Sequence, residues 1–349
     1  MQFGRGKPSA GVFYDSAFTT IDDILTEALI YGLQGKNDCR VAVITCSRPD
    51  LATIGYVEMV ERYYHGPAGN FSQLPAIGMP TSGAKGETPK AFVIPFTLKK
   101  LDGTPVYKNE VSSVIETGDP NTLIRNYLEA QNDQNAFFVV AGPATNIASA
   151  LEFRGMKDLI AAKIKYLVMA TGPGEVNIKG DVAAAKKLFA GWPTPIFVSG
   201  PEIGDALPFP GASIEKEFAA PNTDHPVADA YRLWKPMPYD TPSYSMSAAL
   251  YAARPKEGYF KLSDPGTITV GDNGKTSFAP SAQGKHQLLI ADPAQKEKII
   301  AAYVELASAK PAVRQRFRPD AAAAADGQKK AGDPAAAAAG EKRPGPPKP

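Results

Sequence analysis

The sequence predicts an α/β fold: a doubly wound, mostly parallel sheet with helices on both faces and a small antiparallel appendage. Short apolar runs alternate along the chain with segments that carry apolar residues at helical spacing, which is typical of a parallel sheet covered on both sides. Some of these runs, such as residues 136–141 (AFFVVA), are unbroken, which indicates strands buried on both faces. Near residue 260 the runs become shorter and are separated by turn residues, which favours antiparallel pairing.

The first half of the chain alternates strictly between strands and helices. The predicted elements are a strand at 11–14, a helix at 21–31, a strand at 41–46 and a helix at about 50–64. Thr19 or Thr20 can cap the first helix. Asp22 and Asp23 fall in its first turn, where the helix dipole favours anions.

The same alternation returns after an irregular stretch, residues 65–90, that is rich in Gly, Pro and Ser. The predicted elements are a strand at 136–141, a helix at 147–151, a strand at 164–170, a helix at 182–189, a strand at 195–199 and a final helix at 293–308. The antiparallel appendage is predicted for residues 258–290. It contains the turn sequence Asp272-Asn273-Gly274-Lys275.

Composition divides the 349 residues into three parts. Residues 1–10 are a short lead, residues 11–312 form one α/β domain, and residues 319–349 form a tail rich in Ala, Pro and Lys. The tail lacks the large apolar side chains that offset the entropy lost on ordering, so we expect it to be disordered.

Charge and residue counts exclude several classes of function. Lys and Arg total 38 and Asp and Glu total 36, which gives a net charge of +2 and no reason to expect nucleic acid or an anionic membrane as partner. Two cysteines and three histidines exclude a disulfide framework and a Cys/His zinc cluster. The chain shows neither an apolar run of about 18 residues nor a signal peptide, so we expect it to be cytoplasmic.

Polar side chains follow four of the predicted strands. The groups are Asp15 with Asp22 and Asp23, Ser47 with Arg48, Thr145 with Asn146, and Glu175 with Asn177. Each alone is typical of a helix cap or a turn. Because the carboxyl ends of parallel strands meet at one edge of a sheet, the four together predict a shared site. Clustered carboxylates can hold a hard cation such as Ca²⁺ or Mg²⁺.

Three motifs together resemble the inosine-uridine preferring nucleoside hydrolase family. They are residues 15–23 (DSAFTTIDD), residues 142–148 (GPATNIA) and residues 175–185 (EVNIKGDVAAA). Their order, spacing and strand-end context all agree with that family, and the resemblance covers roughly residues 10–310. Segments 192–196 and 250–266 resemble a divergent bacterial branch of it.

The resemblance implies hydrolysis of the N-glycosidic bond of a nucleoside or related N-riboside, with Ca²⁺ as cofactor. By position, Asp23 would be a metal ligand and Thr145 would give the metal its carbonyl oxygen. Asp22 would bind a ribose hydroxyl, and Glu175 and Asn177 would hold the ribose from the opposite side. The resemblance also implies a homodimer or homotetramer.

The sequence departs from the family at two metal-ligand positions. The second aspartate of the opening motif, which is a ligand and the proposed general base, is Ala17 here, and a late aspartate ligand is Ser245. A change of loop length can move Asp15 into the first vacancy, which makes Asp15 the candidate catalytic residue and a metal ligand. Asp240 is a candidate substitute for the late aspartate.

Two functions therefore stay open. One is a hydrolase, which requires Asp15, Asp22, Asp23 and Asp240 to converge within about 5 Å around room for an ion. The other is a catalytically degenerate relative that binds a ribose-like ligand or a protein partner without turnover, in which Ala17 and Ser245 face an uncharged gap.

Overall fold

The structure, a computed structural model, describes residues 9–65, 76–83, 86–218 and 224–310. Most of the predicted lead, residues 1–8, lies outside this part of the chain. The predicted tail, residues 319–349, also lies outside it.

Ten described strands form a single mixed sheet. They are β1 (Ala10–Ser16), β2 (Cys39–Cys46), β3 (Ala76–Gly78), β4 (Ala136–Ala141), β5 (Ile164–Ala170), β6 (Ile196–Ser199), β7 (Phe260–Leu262), β8 (Gly266–Val270), β9 (Thr276–Pro280) and β10 (His286–Ala291). The strand order is β3-β2-β1-β4-β5-β6-β10-β8-β9, and β7 pairs with β10. Strands β1 to β6 and β10 run parallel, while β7, β8 and β9 are antiparallel to their neighbours.

Helices cover both faces of this sheet. They are α1 (Ile21–Gly35), α2 (Leu51–His65), α3 (Lys90–Val93), α4 (Pro120–Glu129), α5 (Thr145–Ala150), α6 (Met156–Lys163), α7 (Val176–Lys179), α8 (Val182–Gly191), α9 (Pro201–Ala206), α10 (Pro226–Trp234), α11 (Tyr244–Ala253) and α12 (Lys296–Ala307). Consecutive residues of β1 alternate between two hydrophobic cores. Val12 and Tyr14 pack with α1, α11 and α12, and Phe13 packs with α4, α5 and α8. The doubly wound α/β fold is confirmed.

The structure contains elements that the sequence pattern did not show, among them α4, α6, α9, α10, α11 and β10. The stretch predicted as irregular contains β3, which at three residues is too short to show a period. The predicted small antiparallel part is confirmed in β7, β8 and β9. It joins the main sheet through β10, which pairs with β6 in parallel and with β8 in antiparallel fashion. No helix within the described ranges is both long enough and apolar enough to cross a membrane.

Helix α1 approaches α12 so closely that Gly32 has no room for a side chain. A Cβ atom at Gly32 would lie 2.7 Å from the carbonyl carbon of Leu306 and closer still to its oxygen. Because both atoms belong to backbone, the clash cannot be relieved by a rotamer change. We expect Gly32→Ala to lower the free energy of unfolding by about 1–3 kcal/mol, measured by urea denaturation.

Gly35 is the matched control for this prediction. It ends the same helix, and a Cβ there would meet nothing within 4 Å. Alanine is the better helix former, so Gly35→Ala should leave stability unchanged or raise it by up to about 1 kcal/mol. Equal destabilisation by both variants would contradict the close-approach explanation.

Candidate functional site

The candidate site lies where β1, β2 and β4 end. Asp15 and Ser16 are the last two residues of β1, so their side chains point to opposite faces of the sheet. Ser16 faces α1 and contacts Asp23. Asp15 faces the opposite side, where it contacts the end of β2 and the start of α5. The strand geometry therefore separates two carboxylates that are close in sequence.

Asp23 accepts five hydrogen bonds from the protein. Its Oδ2 accepts from the backbone N–H of Thr19 and from both the N–H and the Oγ1 hydroxyl of Thr20, each at 3.0 Å. Its Oδ1 accepts from Ser16 Oγ at 3.0 Å and from Ser245 Oγ at 3.1 Å. Thr20 and Asp23 form the capping box of α1, as the helix-start pattern predicts. Both carboxylate oxygens are thus occupied.

Asp22 caps a second helix, α11, which lies more than 200 residues away in the chain. It accepts the backbone N–H of Ser245 at 2.6 Å and that of Met246 at 3.4 Å. These amides belong to the first turn of α11, where N–H groups lack partners inside the helix. Burial, together with repulsion from Asp23, raises the pKa of Asp22 to about 7, although the hydrogen bonds from Ser245 and Met246 oppose the shift.

Asp15 is fully buried, and only one of its two carboxylate oxygens is hydrogen-bonded by described residues. Its Oδ1 accepts from Thr45 Oγ1 at 2.6 Å and from Asn146 Nδ2 at 2.7 Å. Among the described residues, its Oδ2 has no hydrogen-bond partner. Burial raises the pKa of Asp15 to about 7, and the two hydrogen bonds limit the rise. Asn146 also donates to the Cys46 carbonyl at 2.9 Å, so it joins the ends of β1 and β2.

Arg48, which the sequence placed in the predicted shared site without a specific role, holds the loop that carries Ala17. Its Nε donates to the Ala17 carbonyl at 2.9 Å. Its Nη2 donates to Thr53 Oγ1 at 3.0 Å and lies 2.8 Å from Asp50 Oδ2. The side chains of Arg48 and Asp50 are both buried. The signal available in the sequence was the position of Arg48, two residues beyond the end of β2.

The other predicted site residues make structural contacts. Thr145 Oγ1 donates to Asp181 at 2.8 Å, and Asn177 Nδ2 donates to the Ala170 carbonyl at 2.8 Å. Glu175, in a left-handed conformation with φ of 61°, accepts from the backbone N–H and the hydroxyl of Thr276. Glu175 therefore ties the turn after β5 to β9.

The acidic residues do not converge. Asp240 is exposed, and it accepts the backbone N–H of Gly211 at 2.9 Å. Ser245 contacts Asp23 directly, so it does not face a gap. Within the part of the chain that the structure describes, no three His, Cys, Asp or Glu side chains are close enough together to hold a metal ion.

This donor set does not fit the calcium ion that the resemblance implies. Ca²⁺ takes six to eight oxygen ligands, several of them carboxylates, which present lone pairs to the ion. Here Asp23 directs its lone pairs at five N–H and O–H donors. Ala17 supplies no side-chain oxygen, and Ser245 supplies a hydroxyl that donates to Asp23. Protein donors therefore occupy both Asp23 oxygens that a cation would need.

A cavity of about 380 Å³ lies at the same edge of the sheet, beside the ends of β2 and β3. One wall is the start of α2, residues 49–52, and another is the segment 79–81 that follows β3. Gly86 and Val114 complete the lining. Its volume falls in the range of about 300–1,000 Å³ that is usual for small-molecule sites.

Comparison with solved structures identifies the fold. A purine-preferring ribonucleoside hydrolase from Gardnerella vaginalis matches 85% of this chain and 98% of its own, with a TM-score of 0.63 and 16% identity. An inosine-uridine preferring nucleoside hydrolase from Bacillus anthracis matches 86% of this chain and 99% of its own, with a TM-score of 0.59 and 13% identity.

A third solved structure is the type III effector protein XopQ in complex with adenosine diphosphate ribose. It matches 87% of this chain and 94% of its own, with a TM-score of 0.58 and 12% identity. No protein-family model and no curated protein sequence matches the chain. At these identities the likeness extends to the fold, and the chain has a nucleoside hydrolase-like α/β fold.

Proposed function

We propose that this protein is a catalytically degenerate member of the nucleoside hydrolase-like fold that binds a ribose-like ligand without calcium-dependent turnover. One observation carries the proposal: the carboxylates of Asp22 and Asp23 are occupied by protein donors, among them Ser245 where the family has an aspartate. A carboxylate at position 245 would repel Asp23 unless a cation lay between them. A hydroxyl there donates a hydrogen bond and removes the need for the cation.

The loss of charge also bears on catalysis. A metal site that lacks two of its carboxylates loses most of the negative charge that binds the ion. Ala17 stands where the family has its proposed general base, and loss of such a base costs about 10²–10⁴-fold in rate. Binding requires neither the ion nor the base, so it is the part of the function that the remaining residues support.

The cavity beside α2 supports binding of an oxygen-rich ligand. Leu51 and Ala52, the first two residues of α2, line it, and N–H groups in the first turn of a helix lack partners inside the helix. The N–H groups at this helix start can donate to ligand hydroxyl oxygens, whereas the Asp50 carboxylate, which also lines the cavity, disfavours phosphate. The XopQ structure, a complex with adenosine diphosphate ribose, supports ribose-containing compounds as the first ligands to test.

The test combines binding with turnover. Titration calorimetry with adenosine, inosine, uridine, ribose and adenosine diphosphate ribose should give heat for at least one compound, both with calcium and with a chelator. Release of free base, followed by chromatography, should not exceed that of buffer. Base release that depends on calcium and disappears in Asp23→Ala would overturn the proposal. The absence of heat from every compound would leave a protein partner as the degenerate protein's ligand and exclude the ribose-like one.

Aspartates introduced at positions 17 and 245 should make the stability of the protein depend on a bound cation. We expect the double variant Ala17→Asp/Ser245→Asp to lose about 1–3 kcal/mol of stability in chelator, because Asp23 loses a donor and gains a buried like charge. Millimolar calcium should raise the melting temperature of the variant by several degrees and leave that of the wild type unchanged. Ala17→Asn/Ser245→Asn is the matched control, since it adds similar volume without charge and should not respond to calcium.

A second candidate, hydrolysis of an N-riboside, is favoured by one observation at Asp15. Its Oδ2 has no partner among the described residues, and its raised pKa of about 7 suits a general base. In this candidate the substrate is a nucleoside held by Asp22, Glu175 and Asn177. This candidate works without calcium, because protein donors occupy both oxygens of Asp23. As the resemblance implies, the protein would be a homodimer or homotetramer. Base release that disappears in Asp15→Asn would favour it.

A further inference from the structure

The tip of the hairpin that joins β8 to β9 carries the one Asn-Gly pair in the sequence, Asn273-Gly274. Asn273 is exposed, whereas Gly274, whose φ is 74°, is buried. The backbone N–H of Gly274 donates to the Gly271 carbonyl at 2.9 Å, and that of Gly271 donates to the Lys275 carbonyl at 2.9 Å. A tight turn followed by a left-handed glycine is a common way to close a hairpin, so the tip has a defined conformation.

The side chain of Asn273 folds back along this turn. Its Oδ1 accepts the backbone N–H of Lys275 at 3.0 Å, which is the hydrogen bond of an Asx turn. This hydrogen bond holds the carboxamide beside the peptide bond that joins Asn273 to Gly274, so Cγ of Asn273 lies next to the Gly274 nitrogen. Glycine has no Cβ atom that would shield this nitrogen from the carboxamide.

From this geometry we propose that Asn273 is a site of spontaneous deamidation, with the protein's own carboxamide as substrate and water as co-reactant. The Gly274 nitrogen forms a bond to Cγ of Asn273, and the bond between Cγ and the amide nitrogen breaks. Ammonia leaves with the proton that the Gly274 nitrogen loses, and a five-membered succinimide ring remains. Water then adds to either ring carbonyl and opens the ring, which gives aspartate from one carbonyl and isoaspartate from the other.

Two hydrogen bonds of the turn act on the first step. Negative charge develops on Oδ1 of Asn273 as the nitrogen adds to Cγ, and the Lys275 N–H that already donates to Oδ1 stabilises this charge. In the other direction, the Gly274 N–H must leave the Gly271 carbonyl before its nitrogen can attack. The reaction should therefore be slower in the folded chain than in the unfolded chain, although it needs only this one hydrogen bond to open.

Packing of the tip against α7 determines which product the folded chain accommodates. A Cβ atom at Gly274 would lie 2.8 Å from Cγ of Lys179 and 3.2 Å from its Cα. Isoaspartate adds one atom to the main chain directly before Gly274, and the close contact with Lys179 leaves no room for it without a shift. Aspartate leaves the main chain unchanged and can still accept the Lys275 N–H. The folded chain should therefore form more aspartate, relative to isoaspartate, than the unfolded chain does.

The modified position lies beside a residue of the predicted site. Thr276, two residues beyond Gly274, donates its backbone N–H and its hydroxyl to Glu175. Isoaspartate at position 273 would shift the strand that Glu175 holds. The inference goes beyond the proposed function, and its test needs no ligand.

The test is incubation of the full chain at pH 8.5, followed by peptide mapping with mass spectrometry. The peptide that contains Asn273 should gain about 1 Da, because a carboxyl group replaces a carboxamide. The rate should be about tenfold or more above that at Asn37. Asn37 is the control within the chain, since it is also exposed and lies in a turn, with φ of 65°, but precedes Asp38. Asn273→Gln is the matched variant, because its longer side chain would have to close a six-membered ring.

Chromatography separates the aspartate and isoaspartate peptides, so their ratio can be compared between the folded chain and the chain in concentrated urea. No gain of mass at Asn273, or equal rates at Asn273 and Asn37, would overturn the proposal. A gain in the same peptide of Asn273→Gln equal to that of wild type would overturn it as well. An identical product ratio with and without urea would contradict the effect of packing against Lys179.

Discussion

Replacing Phe18 by alanine should lower the free energy of unfolding by about 3–5 kcal/mol, as is usual for a buried aromatic side chain. Phe18 is fully buried in the loop between β1 and α1, and its ring packs edge-on against Tyr14 at 5.4 Å. Its backbone N–H donates to Ser16 Oγ, which in turn donates to Asp23. The substitution therefore removes the apolar anchor of the loop that carries Ala17. Urea denaturation followed by circular dichroism measures the change.

Phe153→Ala is the matched control, since the same atoms are deleted from a side chain that is 49% exposed. Its stability should change by about 1 kcal/mol or less, because little apolar surface is lost from the core. If Phe18→Ala cost no more than Phe153→Ala, the loop would not be held by core packing. The proposed arrangement around Asp23 would then need another anchor.

Replacing Glu27 by methionine should raise the free energy of unfolding, whereas Phe18→Ala lowers it. Glu27 is fully buried in α1, and among the described residues neither carboxylate oxygen has a hydrogen-bond partner. Methionine has a similar volume and contains no group that must be hydrogen-bonded. We expect a gain of about 1–4 kcal/mol at pH 8, because the wild type buries a carboxyl group without hydrogen-bond partners and holds a proton that the unfolded chain releases.

The gain should depend on pH in a defined direction. Burial raises the pKa of Glu27 well above its ordinary 4.5, and repulsion from Glu61 adds to the rise. The folded state therefore keeps a proton that the unfolded chain releases as the pH rises above about 4.5. Wild-type stability falls from there until the pH passes the folded-state pKa, by up to about 1.4 kcal/mol per pH unit. Glu27→Met does not show this pH-dependent loss of stability, because it has no carboxyl group at position 27.

Denaturation at pH 5, 6, 7 and 8 checks this expectation. The difference between Glu27→Met and wild type should widen steadily as the pH rises. Glu129→Met, at an exposed position, should differ from wild type by about 0.5 kcal/mol or less at every pH. A constant difference between Glu27→Met and wild type would show that Glu27 keeps an ordinary pKa in the folded protein.

Much of the fold could be predicted because its signals are local. The unbroken apolar runs of β1, β2, β4 and β5 and the helical spacing of α1 and α2 depend only on neighbouring residues. The path of the antiparallel strands could not be predicted, since β10 joins the sheet through pairing with β6, about 90 residues earlier. Pairing between distant strands leaves no periodic signal in either strand.

The candidate site could likewise be predicted only where its signals are local in the sequence. The sequence by itself placed Asp15, Asp22 and Asp23 at a strand end and a helix start, and it showed that positions 17 and 245 lack the carboxylates of the family motif. Only the tertiary structure decided what replaces them: Ser245 donates to Asp23, and Asp22 caps α11, across more than 200 residues of chain. It also put Asp15 on the other face of β1 from the Ser16 side chain that contacts Asp23. The physical reason is that residue identity determines which groups can bind or donate, whereas packing of distant elements determines which of them meet.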